Sequence, residues 1–166
     1  MLLVAVVVLV APAGSVGKAG GDGGTRYYGH VFPVAGPHGT RGSIGEFGAG
    51  RSGGRWHEGF DIVAACGTPL LAVRSGKVLR AGYDPVLYGN FLLLHGEGER
   101  LSYFYAHMPR PSRFERGDRV WAGQRVGAVG DTGNARSVGC HLHFEIHVRG
   151  QPVDPAPVLR SGDRYS

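Results

Sequence analysis

Segment 140–148 carries a dense group of potentially reactive side chains. If the segment is a β-strand, successive side chains point to opposite faces, and one face is apolar: Leu142, Phe144, Ile146 and Val148. The other face then carries three imidazoles and a carboxylate: His141, His143, Glu145 and His147. A structural strand gains little from stacking these groups, whereas they are the side chains that bind zinc and exchange protons. The pattern predicts a metal or acid–base site on one strand face.

A second candidate is the pair His57 and Asp61, which are four positions apart. That spacing brings two side chains together on a helix, but Gly59 and the strand-like sequence that follows argue against a helix. In a fully extended strand the pair would lie about 13 Å apart. Only a bend near Gly59 therefore lets both reach one ion. Position 61 is not His, so the segment is not an HExxH motif and Glu58 is not assigned as that motif's general base.

A third candidate, His107, ends the aromatic stretch 101–107 and by itself indicates only a strand-end histidine in a turn. Together the three segments supply two nitrogens and one carboxylate oxygen for zinc, and they leave the fourth tetrahedral position open to water. Two further histidines remain to take up the water proton or to stabilise a tetrahedral oxyanion. This combination predicts a catalytic zinc site suited to amide hydrolysis.

The elements that must position these residues are short strands. Apolar and aromatic runs of strand length, separated by Gly, Asp and Pro, occur at 31–34, 69–73, 77–81, 90–95, 101–107, 125–129 and 141–148. No run keeps a helical apolar period over about 11 residues. The sequence predicts an all-β, mainly antiparallel fold, either a sandwich or an incompletely closed barrel. The Gly-rich stretch 36–59 is predicted to be a long functional loop, and Asp154 is predicted to begin the C-terminal tail.

Composition supports one folded domain. The chain has 166 residues, of which 42% are hydrophobic and 19% charged, a balance too apolar for a disordered chain. Its formal net charge of +5 suits an anionic environment such as nucleic acid, acidic lipid or a polyanionic cell wall. Nucleic acid is disfavoured because no motif of interleaved aromatic and basic residues accompanies the charge.

The N-terminal segment has the features of an export signal. Residues 2–11 are an uncharged apolar run, about half of the roughly 20 residues that a membrane-spanning helix needs. The run ends in Ala11-Pro12-Ala13, the small-x-small form of a signal-peptidase site, although no Lys or Arg precedes it. Residues 1–13 are predicted to be a signal peptide or a truncated anchor, with a buried strand as the alternative. A flexible tether at 14–30 and a folded domain at 31–160 would follow, the domain not inserted in a membrane.

The two cysteines, Cys66 and Cys140, lie 74 positions apart, and neither has a CxxC partner. A four-thiolate metal site is therefore excluded. Export would place the two thiols in an oxidising compartment, where a disulfide between them would persist. The alternative is two small buried thiols.

The reactive segments stand in a specific order along the chain. The series is HxxxD at 57–61, Gly67-Thr68-Pro69, Ser75-Gly76-Lys77-Val78, Tyr88-Gly89-Asn90, Tyr105-Ala106-His107, Gly130-Asp131-Thr132-Gly133 and His141-Leu142-His143-Phe144-Glu145. From about Phe32 to Asp154 this series resembles the lysostaphin-type, LytM-like zinc endopeptidases of bacterial cell walls. The resemblance implies a small, mostly antiparallel β domain with a groove, of the duplicated hybrid-motif type.

The resemblance also implies residue roles. His57, Asp61 and His143 match the family's zinc ligands, and His107 and His141 match the histidines that act around the activated water and the oxyanion. It implies Zn²⁺ as cofactor, peptidoglycan peptides as substrate, a secreted or other extracytoplasmic location, and a monomer. A bridge between the two cysteines, which adjoin the ligand segments, would brace the site.

Two alternatives remain open at this stage. The first is a non-catalytic wall-binding module or activator of other wall hydrolases; such family members commonly lack one or more of the five site residues, and this chain lacks none. The second is a cytoplasmic phosphocarrier or swinging-arm domain, against which the export-like N-terminus argues.

Outside the site, His30 and His38 are predicted to be solvent-exposed. Three arginines, Arg51, Arg55 and Arg136, either meet an acidic wall polymer or form a solvated basic surface.

Overall fold

The computed structural model describes residues 29–162. The predicted export signal at 1–13 and most of the predicted tether at 14–30 lie outside these residues. The described chain forms β1 (Gly39–Thr40), β2 (Phe60–Val63), β3 (Pro69–Leu71), β4 (Gly76–Asp84), β5 (Gly89–Gly96), β6 (Leu101–Met108), β7 (Arg119–Val120), β8 (Arg125–Ala128), β9 (His141–Val148), β10 (Gln151–Val153) and the helix α1 (Ala156–Gly162). Short 3-10 turns occupy Gly42–Gly45, Ser52–Gly54 and Gly133–Ser137.

The main sheet is antiparallel and open. Its strand order is β1-β2-β9-β6-β5-β4-β7, and β10 pairs with the end of β9. The central strand β9 pairs with β2 along its first half and with β6 along nearly its whole length. The predicted all-β, mainly antiparallel fold is confirmed, and the sheet does not close into a barrel.

The hydrophobic core lies between the main sheet and a second, two-stranded sheet formed by β3 and β8. Three side chains of β9, Leu142, Phe144 and Ile146, are at most 1% exposed and belong to this core together with Leu70 of β3 and Val126 of β8. The apolar face predicted from the alternation along β9 is therefore the face that packs inward. Its polar side chains project from the opposite face.

The predicted strand at 31–34 is present only as an interrupted pairing. The segment runs antiparallel to 69–73: the Val31 amide donates to the Val73 carbonyl, the Leu71 amide to the Pro33 carbonyl and the Ala35 amide to the Pro69 carbonyl, and Val34 forms an isolated bridge with Leu70. Pro33 has no N–H and cannot complete a ladder of hydrogen bonds. The segment therefore docks on the domain without becoming one of the named strands.

Docking of this segment also buries a histidine that the sequence predicted to be exposed. His30 is 8% exposed, and its Nε2 lies 3.2 Å from Oε2 of Glu99. Glu99 also accepts a hydrogen bond from the Tyr103 hydroxyl. The prediction failed because a Gly- and Pro-rich composition does not show that a segment packs against a sheet. His38 is half-buried and stacks on Phe32, with 4.2 Å between ring centroids.

The C-terminal region contains structure that the strand pattern did not predict. Asp154 does begin a change of conformation, because its side chain accepts a hydrogen bond from the Ala156 amide just before α1. Val158 and Leu159 of this helix are buried in the core, so the tail is part of the domain. Within residues 29–162, no helix is long and apolar enough to cross a membrane.

Cys66 and Cys140 form a disulfide, with 5.3 Å between their Cα atoms. The bridge joins the turn before β3 to the residue immediately before β9. It therefore anchors the first residue of β9, His141, to a part of the fold 74 positions away in sequence. The pairing suggested by the sequence is confirmed.

We expect the double variant Cys66→Ala/Cys140→Ala to lose about 2–4 kcal/mol of unfolding free energy, because the unfolded chain regains the entropy that a long cross-linked loop removes. Urea unfolding of the oxidised parent, the reduced parent and the variant measures this loss. The reduced parent is the control and should unfold close to the variant. Two free thiols titrated in denatured, unreduced parent would show that the bridge does not form.

Candidate metal and catalytic site

The pairing of β2 with β9 places two candidate ligands opposite each other. Asp61 is the cross-strand partner of His143, and Val63 is the partner of His141. Directly opposed residues on an antiparallel pair have Cβ atoms about 4.5–5.5 Å apart, so their side chains meet on the same face. Register alone therefore joins residues that are 82 positions apart in sequence.

His57 reaches the same point because the chain bends before β2. Its Nε2 lies 3.0 Å from Oδ1 of Asp61, far closer than the extended spacing would allow. Gly59 lies in this bend against β9, where a Cβ would come within 2.5 Å of the Phe144 carbonyl oxygen and 2.9 Å of Cε1 of His143. The predicted bend near Gly59 is present, and a side chain at this position would push the bend away from β9.

Three side chains, His57, Asp61 and His143, are positioned to hold one metal ion. Oδ1 of Asp61 lies 3.0 Å from Nε2 of His57 and 3.1 Å from Nδ1 of His143, and the two nitrogens are 2.9 Å apart. Ligands about 2.0–2.1 Å from a tetrahedral ion lie roughly 3.3 Å from one another. The three atoms thus need to separate by only a few tenths of an ångström to surround an ion. Two imidazole nitrogens and one carboxylate oxygen are a donor set suited to zinc.

The remaining ring nitrogen of each metal-site histidine is held by an acceptor. Nδ1 of His57 donates to the Glu46 carbonyl at 2.8 Å, and Nε2 of His143 donates to Oε1 of Glu145 at 2.8 Å. Each of these bonds holds a proton on the ring nitrogen that faces away from the metal position. The other nitrogen, Nε2 of His57 or Nδ1 of His143, can then direct its lone pair at the metal. Glu145 also accepts from Nε2 of His147 at 2.6 Å. His147 thus contacts Glu145, which orients His143, and is not itself in the ligand group.

His107 lies near the end of β6 and has an uncommon backbone conformation. Its φ of 64° lies in the left-handed region, which is rare for residues with a side chain. Three hydrogen bonds hold it there: the His107 amide donates to the Tyr88 carbonyl, Nδ1 donates to the Thr132 carbonyl at 2.8 Å, and the Thr132 amide donates to the His107 carbonyl. Nδ1 is therefore occupied and Nε2 is left for the cleft. Strained residues of this kind are concentrated at functional sites.

His141 lies beside His107 on the same side of the metal position. The two ring centroids are 4.8 Å apart. Nδ1 of His141 donates to the Gly139 carbonyl at 2.8 Å, and Nε2 lies 3.8 Å from Oδ1 of Asp61. As in His107, Nδ1 is held by a backbone carbonyl, and in His141 the other ring nitrogen faces Asp61. The five residues predicted for the site are brought together.

Burial and charge set the protonation of these groups. Burial would raise the pKa of Asp61, but hydrogen bonds from His143 and His57 outweigh it and hold the pKa well below its usual range. Burial lowers the pKa of His107 to about 3, with the neighbouring His143 and His141 adding to the effect, and burial also lowers the pKa of His141. At neutral pH the site therefore contains an ionised carboxylate and two neutral imidazoles.

His143 has the opposite tendency when no metal is bound. Burial would lower its pKa, but its hydrogen bonds to Asp61 and Glu145 outweigh burial and raise the pKa to about 9. The pKa of Glu145 falls to about 2, because hydrogen bonds from His143 and His147 outweigh burial. Metal binding at Nδ1 of His143 therefore has to release a proton.

The site opens into a cleft of about 640 Å³. One wall comes from the loop 41–58, and the other comes from Leu87, Tyr88 and the 3-10 segment that contains Ala135. The predicted long functional loop is thus a wall of the cleft. The groove implied by the resemblance is present as this cleft.

Some residues of the site were not predicted from the sequence. Arg41 donates to Oδ2 of Asp61 at 3.4 Å, and Arg51, predicted only as a general basic residue, donates to the same oxygen at 3.5 Å. Tyr88 lines the cleft, and burial together with the negative charge of Glu145 raises its pKa. The Tyr88-Gly89-Asn90 motif pointed to this tyrosine, whereas nothing in the local pattern around Arg41 distinguishes it from other arginines.

An open antiparallel sheet with a His–Asp–His metal position in its cleft is the combination found in a class of metallopeptidases. Residues 55–155, more than half of the chain, match peptidase family M23. The chain belongs to this family.

Relatives within the family are named for different roles. The chain is 39% identical over 105 residues to the DD-carboxypeptidase/endopeptidase Mpg of Neisseria meningitidis serogroup B, an alignment that covers 63% of this chain and 23% of Mpg. It is 34% identical over 121 residues to the murein hydrolase activator NlpD of Escherichia coli, covering 72% of this chain and 30% of NlpD. The chain thus spans less than a third of the length of either relative.

Solved structures show the same fold. The catalytic domain of lysostaphin, an antimicrobial peptidase from Staphylococcus simulans, superposes with a TM-score of 0.64 at 31% identity. The match covers 75% of this chain and 92% of the lysostaphin domain. The similarity to lysostaphin-type peptidases predicted from the motif order is confirmed.

Proposed function

We propose that this protein is a zinc-dependent endopeptidase that hydrolyses peptide bonds in the cross-links or stems of bacterial peptidoglycan. The observation that carries the proposal is the complete site: three potential ligands converge on one point, and His107 and His141, each held through Nδ1 by a backbone carbonyl, line the same cleft. In this proposal His57, Asp61 and His143 hold Zn²⁺, and His107 and His141 are the catalytic histidines.

Zinc held by these three residues would polarise the scissile carbonyl and acidify a water molecule. The two histidines would handle the protons and charge. Because His107 is neutral at neutral pH, its Nε2 can accept a proton, while the Thr132 carbonyl holds the ring in place through Nδ1. His141, fixed by the Gly139 carbonyl, lies where its ring can stabilise negative charge on the substrate oxygen once it carries a proton on Nε2.

The substrate class is supported by the chemistry of the chain and by its relatives. The metal position lies in an open cleft of about 640 Å³, and the net charge of +5 favours an anionic polymer such as a cell wall. Mpg is named for DD-carboxypeptidase and endopeptidase activity. We extend the proposal to an extracytoplasmic location, with the domain acting as a monomer, with no membrane insertion and with no nucleic-acid partner.

A second candidate function is activation of other wall hydrolases, which the similarity to NlpD favours. The two proposals differ in what the five site residues do. An activator has no need for a neutral, oriented His107 beside a metal position, and its function would survive the loss of that imidazole. The completeness of the site is why we prefer hydrolysis.

Peptide release from peptidoglycan tests the proposal. Zinc-loaded protein is incubated with peptidoglycan of several cross-link chemistries, and the fragments are identified by mass. We expect new amino termini from at least one of these substrates. If none yields new amino termini with zinc bound, hydrolysis is refuted. Stimulation of a purified wall amidase in the same preparation would then support the activator.

A further inference from the structure

Three arginines from one loop line the same wall of the cleft. Arg41, Arg51 and Arg55 all lie between β1 and β2, and all three border the cavity that contains the metal position. Two of them, Arg41 and Arg51, reach Oδ2 of Asp61, whereas the two imidazoles contact the other carboxylate oxygen, Oδ1. The wall beside the metal position therefore carries a concentration of positive charge.

The approach of Arg41 to the metal position depends on a buried glycine. A Cβ at Gly45 would lie 2.8 Å from Cβ of Arg41 and 3.2 Å from Cβ of Asp61. Any larger residue would therefore separate the arginine from the aspartate. The 3-10 turn Gly42–Gly45 holds Arg41 in place with its side chain 25% exposed to the cleft.

The three guanidinium groups differ in how many donors the protein already uses. Arg51 donates to the Ile44 and Gly50 carbonyls as well as to Asp61, so it braces the loop. Within residues 29–162, Arg41 makes one hydrogen bond, to Asp61, and Arg55 makes one, from Nε to the Ser52 carbonyl. Since a guanidinium has five N–H donors, most of the donors of Arg41 and Arg55 are available to a ligand.

The cleft also contains negative charge. Glu58 is exposed, lines the cavity, and together with Glu145 raises the pKa of Tyr88 after the larger effect of burial. Glu145 is already held by two histidines. An anionic group of a bound peptide therefore has favourable partners in the arginines and an unfavourable one in Glu58.

We propose that Arg41 and Arg55 bind a free carboxylate of the peptide, and that this contact makes the cleft selective for peptides with a carboxylate close to the scissile bond. The proposal rests on the proposed function and specifies its substrate. A carboxylate bonded to Arg41 at about 2.8 Å would lie roughly 6–8 Å from the metal ligand Asp61. Because an extended residue spans at most about 3.6 Å, the carboxylate belongs within about two residues of the scissile bond.

The test compares two forms of one ligand. The probe is a cross-linked stem-peptide dimer, used as the free acid and with its carboxylates converted to amides. Binding of each form to zinc-loaded protein is measured by calorimetry, and hydrolysis is measured separately. We expect the parent to bind the free acid at least about tenfold more tightly than the amide, because hydrogen bonds to a charged group contribute more than neutral ones. Arg41→Gln and Arg55→Gln should each reduce that ratio, and the double variant should reduce it to less than about twofold.

The control is Arg113→Gln, which removes the same charge from an arginine that stacks on Phe114 outside the cleft. Its binding ratio should equal that of the parent. Equal binding of the two forms by the parent would overturn the proposal. An Arg41→Gln variant that binds both forms more weakly by the same factor would also overturn it, because Arg41 would then act only through its ion pair with Asp61. Selective binding without hydrolysis would retain the carboxylate site and refute the peptidase.

Discussion

Replacing His107 should abolish most peptide release while leaving the metal bound. In the proposed mechanism the imidazole is a proton acceptor and not one of the three metal ligands, and loss of such a group typically lowers the rate by about 10²- to 10⁴-fold. We expect the same range for His141→Ala. The measurement is zinc content, binding to wall material and peptide release on one preparation of each variant.

The backbone at His107 requires a second variant. Because its φ is 64°, alanine is poorly suited to the position, whereas asparagine tolerates left-handed conformations. His107→Asn should therefore fold and still lose activity. His95→Ala is the matched control, since His95 is half-buried on β5, bonds Ser102, and lies outside the cleft. Full peptide release by His107→Asn would remove this residue from the mechanism.

The second large effect concerns zinc itself. His143→Ala removes one of the three proposed ligands and leaves Asp61 without the imidazole that faces it across the strands, so we expect zinc affinity to fall by several orders of magnitude. Elemental analysis after dialysis against a weak chelator measures the metal retained by each protein. The parent should retain one zinc per chain, and the variant should retain almost none.

The control for this experiment is again His95→Ala, which deletes an imidazole outside the ligand group and should retain the metal of the parent. Far-ultraviolet circular dichroism shows whether each variant keeps its strands. A folded His143→Ala variant as fully loaded as the parent would contradict the ligand assignment. Zinc release by His143→Ala together with unaltered activation of an amidase would support the activator proposal.

The strand pattern predicted β9 well because alternation is a local property. Successive side chains of a strand point to opposite faces. The apolar side chains therefore pack inward together, namely Leu142, Phe144 and Ile146, and the histidines His141 and His143 share the other face. The strand pattern was less successful at 31–34, where a proline interrupts an apolar segment and no named strand forms. Apolar character was sufficient to bury that segment, but the missing N–H of Pro33 kept it from continuous pairing.

The sequence by itself determined which chemical groups are available, in what order, and on which face of β9 they lie, because residue type and period two are properties of the chain alone. The tertiary structure decided how those groups meet. The register of β2 against β9 sets Asp61 opposite His143, the bend at Gly59 brings in His57, and the left-handed backbone of His107 directs its ring. Each depends on contacts between distant segments, as does the approach of Arg41 to Asp61, and local patterns carry no information about such contacts.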